Sequence, residues 1–87
     1  MPMRTAQSSP THPGTVFREE YRHAIGISQA EAARRLGWST NRMNEFEGGK
    51  RRVTVDNAIA LEALTGASAE FWLTLQMQHA VWHRRRR

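Results

Sequence analysis

Polar side chains that can contact DNA bases are concentrated in one short segment, at Thr40, Asn41, Arg42 and Asn44. An asparagine amide can pair with adenine through two hydrogen bonds, an arginine guanidinium can pair with guanine, and threonine can contact the thymine methyl group. These four residues are therefore predicted to contact base edges. The alternatives are that Arg42 holds a backbone phosphate and that the others form an ordinary solvated helix face.

Positive side chains follow this segment at Lys50, Arg51 and Arg52. A basic cluster just past a helix that enters DNA is placed to bind backbone phosphates. Gln29 lies at the start of a predicted helix, where backbone N–H groups also favour anions. Gln29 and Ser39 complete the predicted phosphate-contacting set. For Gln29 the alternative is a local cap contact at the start of its helix.

Local signals place the predicted base-contacting residues on the second of two short helices. Ser28 and Glu31 have the spacing of a capping box, and Gly37 is suited to the left-handed residue that ends a helix. Ser39 provides a second N-cap, and Gly48–Gly49 ends the second helix. The inward apolar positions of the pair are Ala32, Ala33, Leu36, Met43 and Phe46. This pattern is typical of a helix-turn-helix unit.

Three further helices are expected around this unit, which predicts an all-α fold of five helices without strands. The first runs roughly from residue 14 to residue 23, with Val16, Phe17 and Tyr21 inward, Arg22 among the outward residues, and Ile25 and Ile27 following in the core. Thr54 caps the fourth helix, and Ser68 caps the fifth. The apolar face of the fourth helix comprises Ala58, Ile59, Leu61 and Leu64.

The fifth helix carries two apolar stripes, although one would suffice to pack on the core of so small a domain. The first stripe comprises Phe71, Trp72, Leu75 and Trp82, and the second comprises Leu73, Met77, Ala80 and Val81. Large exposed apolar surfaces usually mark interfaces. The second stripe is therefore predicted to hold a homodimer together, whereas the alternative is that both stripes are covered within one chain.

The composition suits one soluble domain, with 87 residues, 39% hydrophobic and 24% charged. The net charge of +5 falls to +1 when the four terminal arginines are left out, so charge alone is weak evidence for nucleic acid. Glu45 and Glu47 would repel DNA unless they accept a hydrogen bond from cytosine or turn away. The expected organisation is a disordered arm over residues 1–11, a DNA-binding domain over 12–83, and a basic tail over 84–87.

Several kinds of site are not expected. The chain has no cysteine, which excludes disulfides and cysteine-based metal sites and favours the cytoplasm. No apolar run approaches the roughly 20 residues of a membrane span. Metal and cofactor sites are not expected, because the four histidines lack a ligand spacing beyond the pair His79 and His83. No nucleophile, base and orienting acid come together in the pattern, so the chain is not expected to be an enzyme.

Eight short segments carry a resemblance to a known family: HPG at 12–14, REE at 18–20, SQAE at 28–31, RRLG at 34–37, NRM at 41–43, GKR at 49–51, VT at 53–54 and EFWL at 70–73. With these segments the chain resembles the HigA-type antitoxins, also called the VapI group, of the Xre and phage-repressor helix-turn-helix family. There are two departures: Gly48 stands where the family usually has asparagine, and Trp38 where it has a smaller aliphatic residue.

The resemblance implies a homodimeric antitoxin that binds a palindromic operator in double-stranded DNA and represses its own operon. It also implies a protein partner, a HigB-type toxin, which is a RelE-like mRNA endonuclease that cleaves on the ribosome. One alternative is a stand-alone Xre-type regulator without a toxin. Another is a pure interaction protein, against which Asn41 and the basic residues after the second helix argue.

Overall fold

The computed structural model describes residues 9–86, and the first helix in this range, α1, begins at Pro13. α1 runs without a break through three segments, Pro13–Val16, Phe17–Arg22 and His23–Ile25, of which the middle one is π-helical. His12 caps the helix, because its Nδ1 accepts a hydrogen bond from the Gly14 N–H at 2.9 Å. Gly26, with φ of 76°, ends α1 in the left-handed conformation.

The π-helical segment changes which side chains of α1 face inward. A π turn contains more residues than an α turn, so the face that follows it is rotated relative to an α-helical pattern. The prediction that Arg22 faces outward is wrong, since only 13% of its side chain is exposed. The prediction that Ile25 lies in the core is also wrong, because Ile25 is exposed, whereas Ile27 packs against the core as expected.

The helix-turn-helix unit comprises α2 (Gln29–Leu36) and α3 (Thr40–Glu47). Ser28 Oγ accepts from the Glu31 N–H at 3.0 Å and Ser39 Oγ from the Arg42 N–H at 3.0 Å, which confirms both predicted N-caps. Gly37 ends α2 in the left-handed conformation, also as predicted.

The reciprocal half of the predicted capping box does not form. The carboxylate of Glu31 accepts hydrogen bonds from the guanidinium groups of Arg34 and Arg35. These bonds lower the pKa of Glu31 to about 2. Arg34 and Arg35 lie one turn along the same helix, where a pair three or four residues apart meets on one face.

The last two helices are α4 (Val55–Thr65) and α5 (Ala69–Arg85), which pack against each other. Thr54 and Ser68 cap them as predicted. On α4, Ala58 and Leu61 are buried, but Ile59 is 52% exposed, so its predicted place in the core is wrong. The five helices of residues 9–86, with no strand among them, confirm the predicted fold class. None of these helices is long and apolar enough to cross a bilayer.

The core forms around Trp72 of α5, which is fully buried. Its indole contacts the rings of Phe17, Tyr21 and Phe71 at centroid distances of 6.4, 5.5 and 5.1 Å. Met43 and Phe46 are buried in the same core and fix the inner face of α3. Gly14 lets α1 approach α3 closely, since a Cβ at this position would lie 1.8 Å from the carbonyl oxygen of Phe46.

The structure bears differently on the two predicted ends of the domain, at residues 12 and 83. Most of the predicted N-terminal arm, residues 1–8, lies outside the described residues. At the other end, α5 continues to Arg85, two residues into the segment that the sequence assigned to a basic tail. Cations in the last turn of a helix are favoured by the helix dipole, which helps α5 extend into the arginine run.

Candidate nucleic-acid interface

The outer face of α3 presents three of the four predicted base-contacting residues. Thr40 and Asn41, in the first turn, and Asn44, one turn further on, are all exposed. Within residues 9–86 their side chains make no hydrogen bond. Their polar groups are therefore available to an external partner. The Ser39 cap and the buried Met43 and Phe46 hold the helix beneath them.

Arg42 points away from these three residues. Its guanidinium lies 4.5 Å from the centre of the Trp38 ring and donates a hydrogen bond to Asn57 Oδ1 on α4. A cation over an indole face is attracted by the ring quadrupole. Arg42 would have to leave both partners to contact a base, so the structure separates it from the other predicted base-contacting residues.

The three predicted phosphate contacts after α3 differ in their surroundings. Arg51 Nε donates to Glu45 Oε1 at 2.8 Å, and the Lys50 N–H donates to the Glu45 carbonyl oxygen at 2.8 Å. Lys50 and Arg52 are exposed and have no acidic partner within residues 9–86. Together with neighbouring residues they form a groove, here called the cationic groove, lined by Arg42, Glu45, Lys50, Arg51, Arg52, Thr54 and Asn57.

Glu47 is buried, with 3% of its side chain exposed, and does not face an external partner. Its two carboxylate oxygens accept from Arg22 Nε at 2.6 Å and Arg22 Nη2 at 2.8 Å. Gln29 Nε2 donates to the same carboxylate at 3.1 Å. These bonds join α1, α2 and α3. The Gln29 side chain therefore bonds to a residue of α3 that lies 18 positions away, which is not the local cap contact that was the alternative, and its phosphate role stays a prediction.

Of the two carboxylates expected to repel DNA, Glu47 is turned inward and Glu45 is neutralised by Arg51. Ser39 can still donate a hydrogen bond to a phosphate, because its oxygen accepts from the Arg42 N–H while its hydroxyl hydrogen remains a donor.

The sequence pattern missed Arg22, Glu47 and Asn57 as residues that support this surface. Arg22 and Glu47 are 25 residues apart and Arg42 and Asn57 are 15 apart, and the sequence pattern gives no signal for pairing at such separations.

Three histidines cluster beside the loop that follows α3. The His79 ring lies 4.8 Å from that of His12 and 4.3 Å from that of His83. Burial lowers the pKa of His12 and His79, and nearby imidazoles lower it further, whereas a hydrogen bond to the Arg51 backbone acts in the opposite direction on His12. No group of three or more residues within positions 9–86 is arranged to hold a metal ion.

This cluster predicts a loss of stability in mild acid. Because the folded-state pKa of His12 and His79 lies below the ordinary value of about 6.5, the unfolded chain binds more protons than the folded one as the pH falls through that value. The stabilisation is therefore complete above about pH 6.5 and is lost below it. Protonated His12 also cannot accept the Gly14 N–H.

Urea unfolding at pH 7.5, 6.5 and 5.5 measures this effect. The midpoint should fall toward pH 5.5 in the parent and fall less in a His79→Ala variant. His23, which is exposed and outside the cluster, provides the control, and His23→Ala should behave like the parent. An equal fall in all three proteins would assign the pH dependence to other groups.

An exposed apolar surface lies on α4 and α5, next to the cationic groove, with which its groove shares Arg52 and Thr54. Met77 and Val81 of the predicted dimer stripe are 56% and 40% exposed, Ala80 is also exposed, and Leu73 is half-buried against the core. Val55 and Ile59 of α4 add to them at 60% and 52% exposure. This apolar patch comprises Val55, Ile59, Leu73, Met77, Ala80 and Val81. The sequence pattern placed Ile59 inward, because Ile59 fits the spacing of the apolar face of α4, and it gave no role to Val55.

Comparison with known proteins relates this architecture to a family. The family described as "Helix-turn-helix domain" matches residues 17–70. The chain is 38% identical over 65 residues to virulence-associated protein I of Dichelobacter nodosus, a match that covers 75% of this chain and 60% of that protein. It is 31% identical over 86 residues to antitoxin HigA-1 of Vibrio cholerae serotype O1, covering 98% of this chain and 80% of that one.

A solved structure matches the fold as well. It is that of the Pseudomonas aeruginosa antitoxin HigA with the higBA promoter. The TM-score is 0.78 and the sequence identity 35%, over 83% of this chain and 78% of that chain.

Proposed function

This chain belongs to the Xre-type helix-turn-helix family, alongside the HigA antitoxins, and on that premise we propose that it is an antitoxin that binds operator DNA and represses its own operon. The observation that carries the proposal is the exposed outer face of α3 beside the cationic groove. The HigA structure solved with promoter DNA supports this assignment.

We assign base contact to Thr40, Asn41 and Asn44, whose side chains have no hydrogen-bond partner within residues 9–86. A recognition helix contacts bases mainly through its N-terminal residues. Arg42 is assigned to a supporting role, because it joins α3 to Asn57 of α4. Phosphate contact is assigned to Lys50 and Arg52, with smaller contributions from Arg51, Ser39 and Gln29, whose side chains have internal partners.

Lys50→Ala should weaken operator and random DNA alike, because a phosphate contact carries no sequence information. The slope of log affinity against log salt concentration should become shallower by about 0.9, the value for one phosphate that is no longer neutralised. Fluorescence anisotropy at four salt concentrations measures both quantities. Arg18→Ala is the matched control, since it removes the same charge at a residue paired with Glu19. A weakening confined to the operator would mean that Lys50 contacts a base.

We further propose that the protein acts as a homodimer joined through the apolar patch. Four large apolar side chains of the patch are between 40% and 60% exposed in one chain. A two-fold interface uses the same surface on both copies and would cover them. Two α3 helices about 34 Å apart, one turn of DNA, would then match a palindromic operator.

The protein partner we propose is a HigB-type toxin, a RelE-like mRNA endonuclease. The support for this partner is the family membership, and not a contact among residues 9–86. Expression of the neighbouring small gene, alone and together with this chain, tests the proposal. Alone it should arrest growth, and together the two products should co-purify with growth restored. A harmless neighbour that does not co-purify, with operator binding intact, would leave a stand-alone regulator.

A further inference from the structure

A second groove adjoins the cationic groove and contains three arginines. It is lined by Arg52, Gln76, Ala80, Val81, Arg84 and Arg85, and is called here the arginine groove. Arg52 lines both grooves, so the two form one continuous surface from the end of α3 to the last turn of α5. The arginine groove is open to a partner, because all three arginine side chains are exposed.

The charge of the arginine groove is not compensated within the molecule. No carboxylate lines it, and Arg52, Arg84 and Arg85 make no ion pair within residues 9–86. By contrast, Arg18, Arg22, Arg34, Arg35 and Arg51 each pair with a glutamate. Three like charges around one groove repel one another, and a bound anion would relieve that repulsion.

A hydrogen bond joins the two sides of this groove. Gln76 Oε1 on α5 accepts a hydrogen bond from the Val53 N–H at 2.7 Å, which ties the residue next to Arg52 to the middle of α5. Arg84 and Arg85 belong to α5 itself, because the helix ends at Arg85. Only the side chains of Arg84 and Arg85 must therefore be ordered on binding.

We propose that Arg84 and Arg85, together with Arg52, hold a backbone phosphate of the operator DNA and extend the contact surface beyond α3 and the basic loop. This inference rests on the proposed DNA-binding function. The continuity of the groove with Lys50 and Arg51 through Arg52 favours DNA over an acidic protein surface. Ala80 and Val81 belong to both the arginine groove and the apolar patch, so the arginines of two copies flank the dimer interface.

The test compares the full chain with an Arg84→Ala/Arg85→Ala variant, by anisotropy on operator and random duplexes over four salt concentrations. Alanine preserves the helix end. The salt slope should become shallower by about 0.9 for each phosphate that the variant no longer neutralises, with affinity reduced by the same factor on both duplexes. Arg84→Lys/Arg85→Lys should keep the slope of the parent. Arg18→Ala/Arg34→Ala, which removes the same charge at paired residues, should change the slope little.

The outcomes separate this inference from the function on which it rests. A parent that binds neither duplex contradicts the proposed function. A parent that binds both, with an unchanged slope in the alanine variant, contradicts only the role of Arg84 and Arg85. An unchanged slope, together with failure of the neighbouring gene product to co-purify with the variant, would assign the arginine groove to a protein partner and overturn the phosphate assignment.

Discussion

Glu47→Ala should lower the free energy of unfolding by about 3–5 kcal/mol, the usual cost of removing one partner from a buried ion pair. Glu47 and Arg22 form a bidentate pair with 3% and 13% of their side chains exposed. Without the carboxylate, the one hydrogen-bond partner left to the Arg22 guanidinium among residues 9–86 would be the Ile27 carbonyl oxygen, at 3.3 Å. The penalty arises from this uncompensated charge rather than from reduced packing.

Two variants give this prediction its controls. Glu45→Ala removes the exposed pair with Arg51 and should cost only about 0–1 kcal/mol. Arg22→Met/Glu47→Leu replaces both charges with apolar groups and should recover most of the stability, because no charge is left unpaired. Urea unfolding measures all three. If the double variant is as unstable as Glu47→Ala, the destabilisation comes from packing, and the ion-pair explanation does not hold.

Met77→Glu should convert the proposed homodimer to a monomer at micromolar concentration. In a two-fold interface the same residue approaches its counterpart or its near neighbours, so the substitution places two negative charges in a surface that is apolar in the parent. We expect the dimer dissociation constant to rise at least about 100-fold, which corresponds to about 2.7 kcal/mol. Analytical ultracentrifugation measures the mass directly.

The matched control for this prediction is Gln78→Glu, which adds the same charge one residue along α5, outside the apolar patch. It should leave the dimer intact. Ile59→Glu tests the α4 side of the patch and should act like Met77→Glu, since both residues are more than half exposed in one chain. If the Met77→Glu protein stays dimeric, the dimer interface must lie on another surface. If the parent itself is monomeric, the proposed interface does not exist.

Features that depend on neighbours in sequence were predictable. Each N-cap at Ser28, Ser39, Thr54 and Ser68 accepts a hydrogen bond from a residue three positions on, so four consecutive residues contain the whole interaction. The left-handed conformation of Gly37 likewise depends on its neighbours in the sequence. The boundaries and the buried faces of α2 and α3 followed from such signals.

Side-chain partners across the fold were not predictable in the same way. Arg22 and Glu47 are 25 residues apart, and their pairing depends on the π-helical segment of α1, for which periodicity offers no signal. Arg42 and Asn57 meet because α3 and α4 adjoin. The outer face of α3 was correctly predicted to point outward at Thr40, Asn41 and Asn44, whereas the orientation of Arg42 required the positions of other helices.

The central claim is that α3 recognises DNA sequence, and Asn41→Ala tests it most directly. The measurement is the affinity of parent and variant for the DNA upstream of this gene and for a random duplex of equal length, at one salt concentration. We expect the variant to lose about 1–3 kcal/mol on the upstream DNA and to bind the random duplex as the parent does. Equal reductions on both duplexes, or an unchanged preference for the upstream DNA, would contradict the assignment of Asn41 on α3 as a base contact.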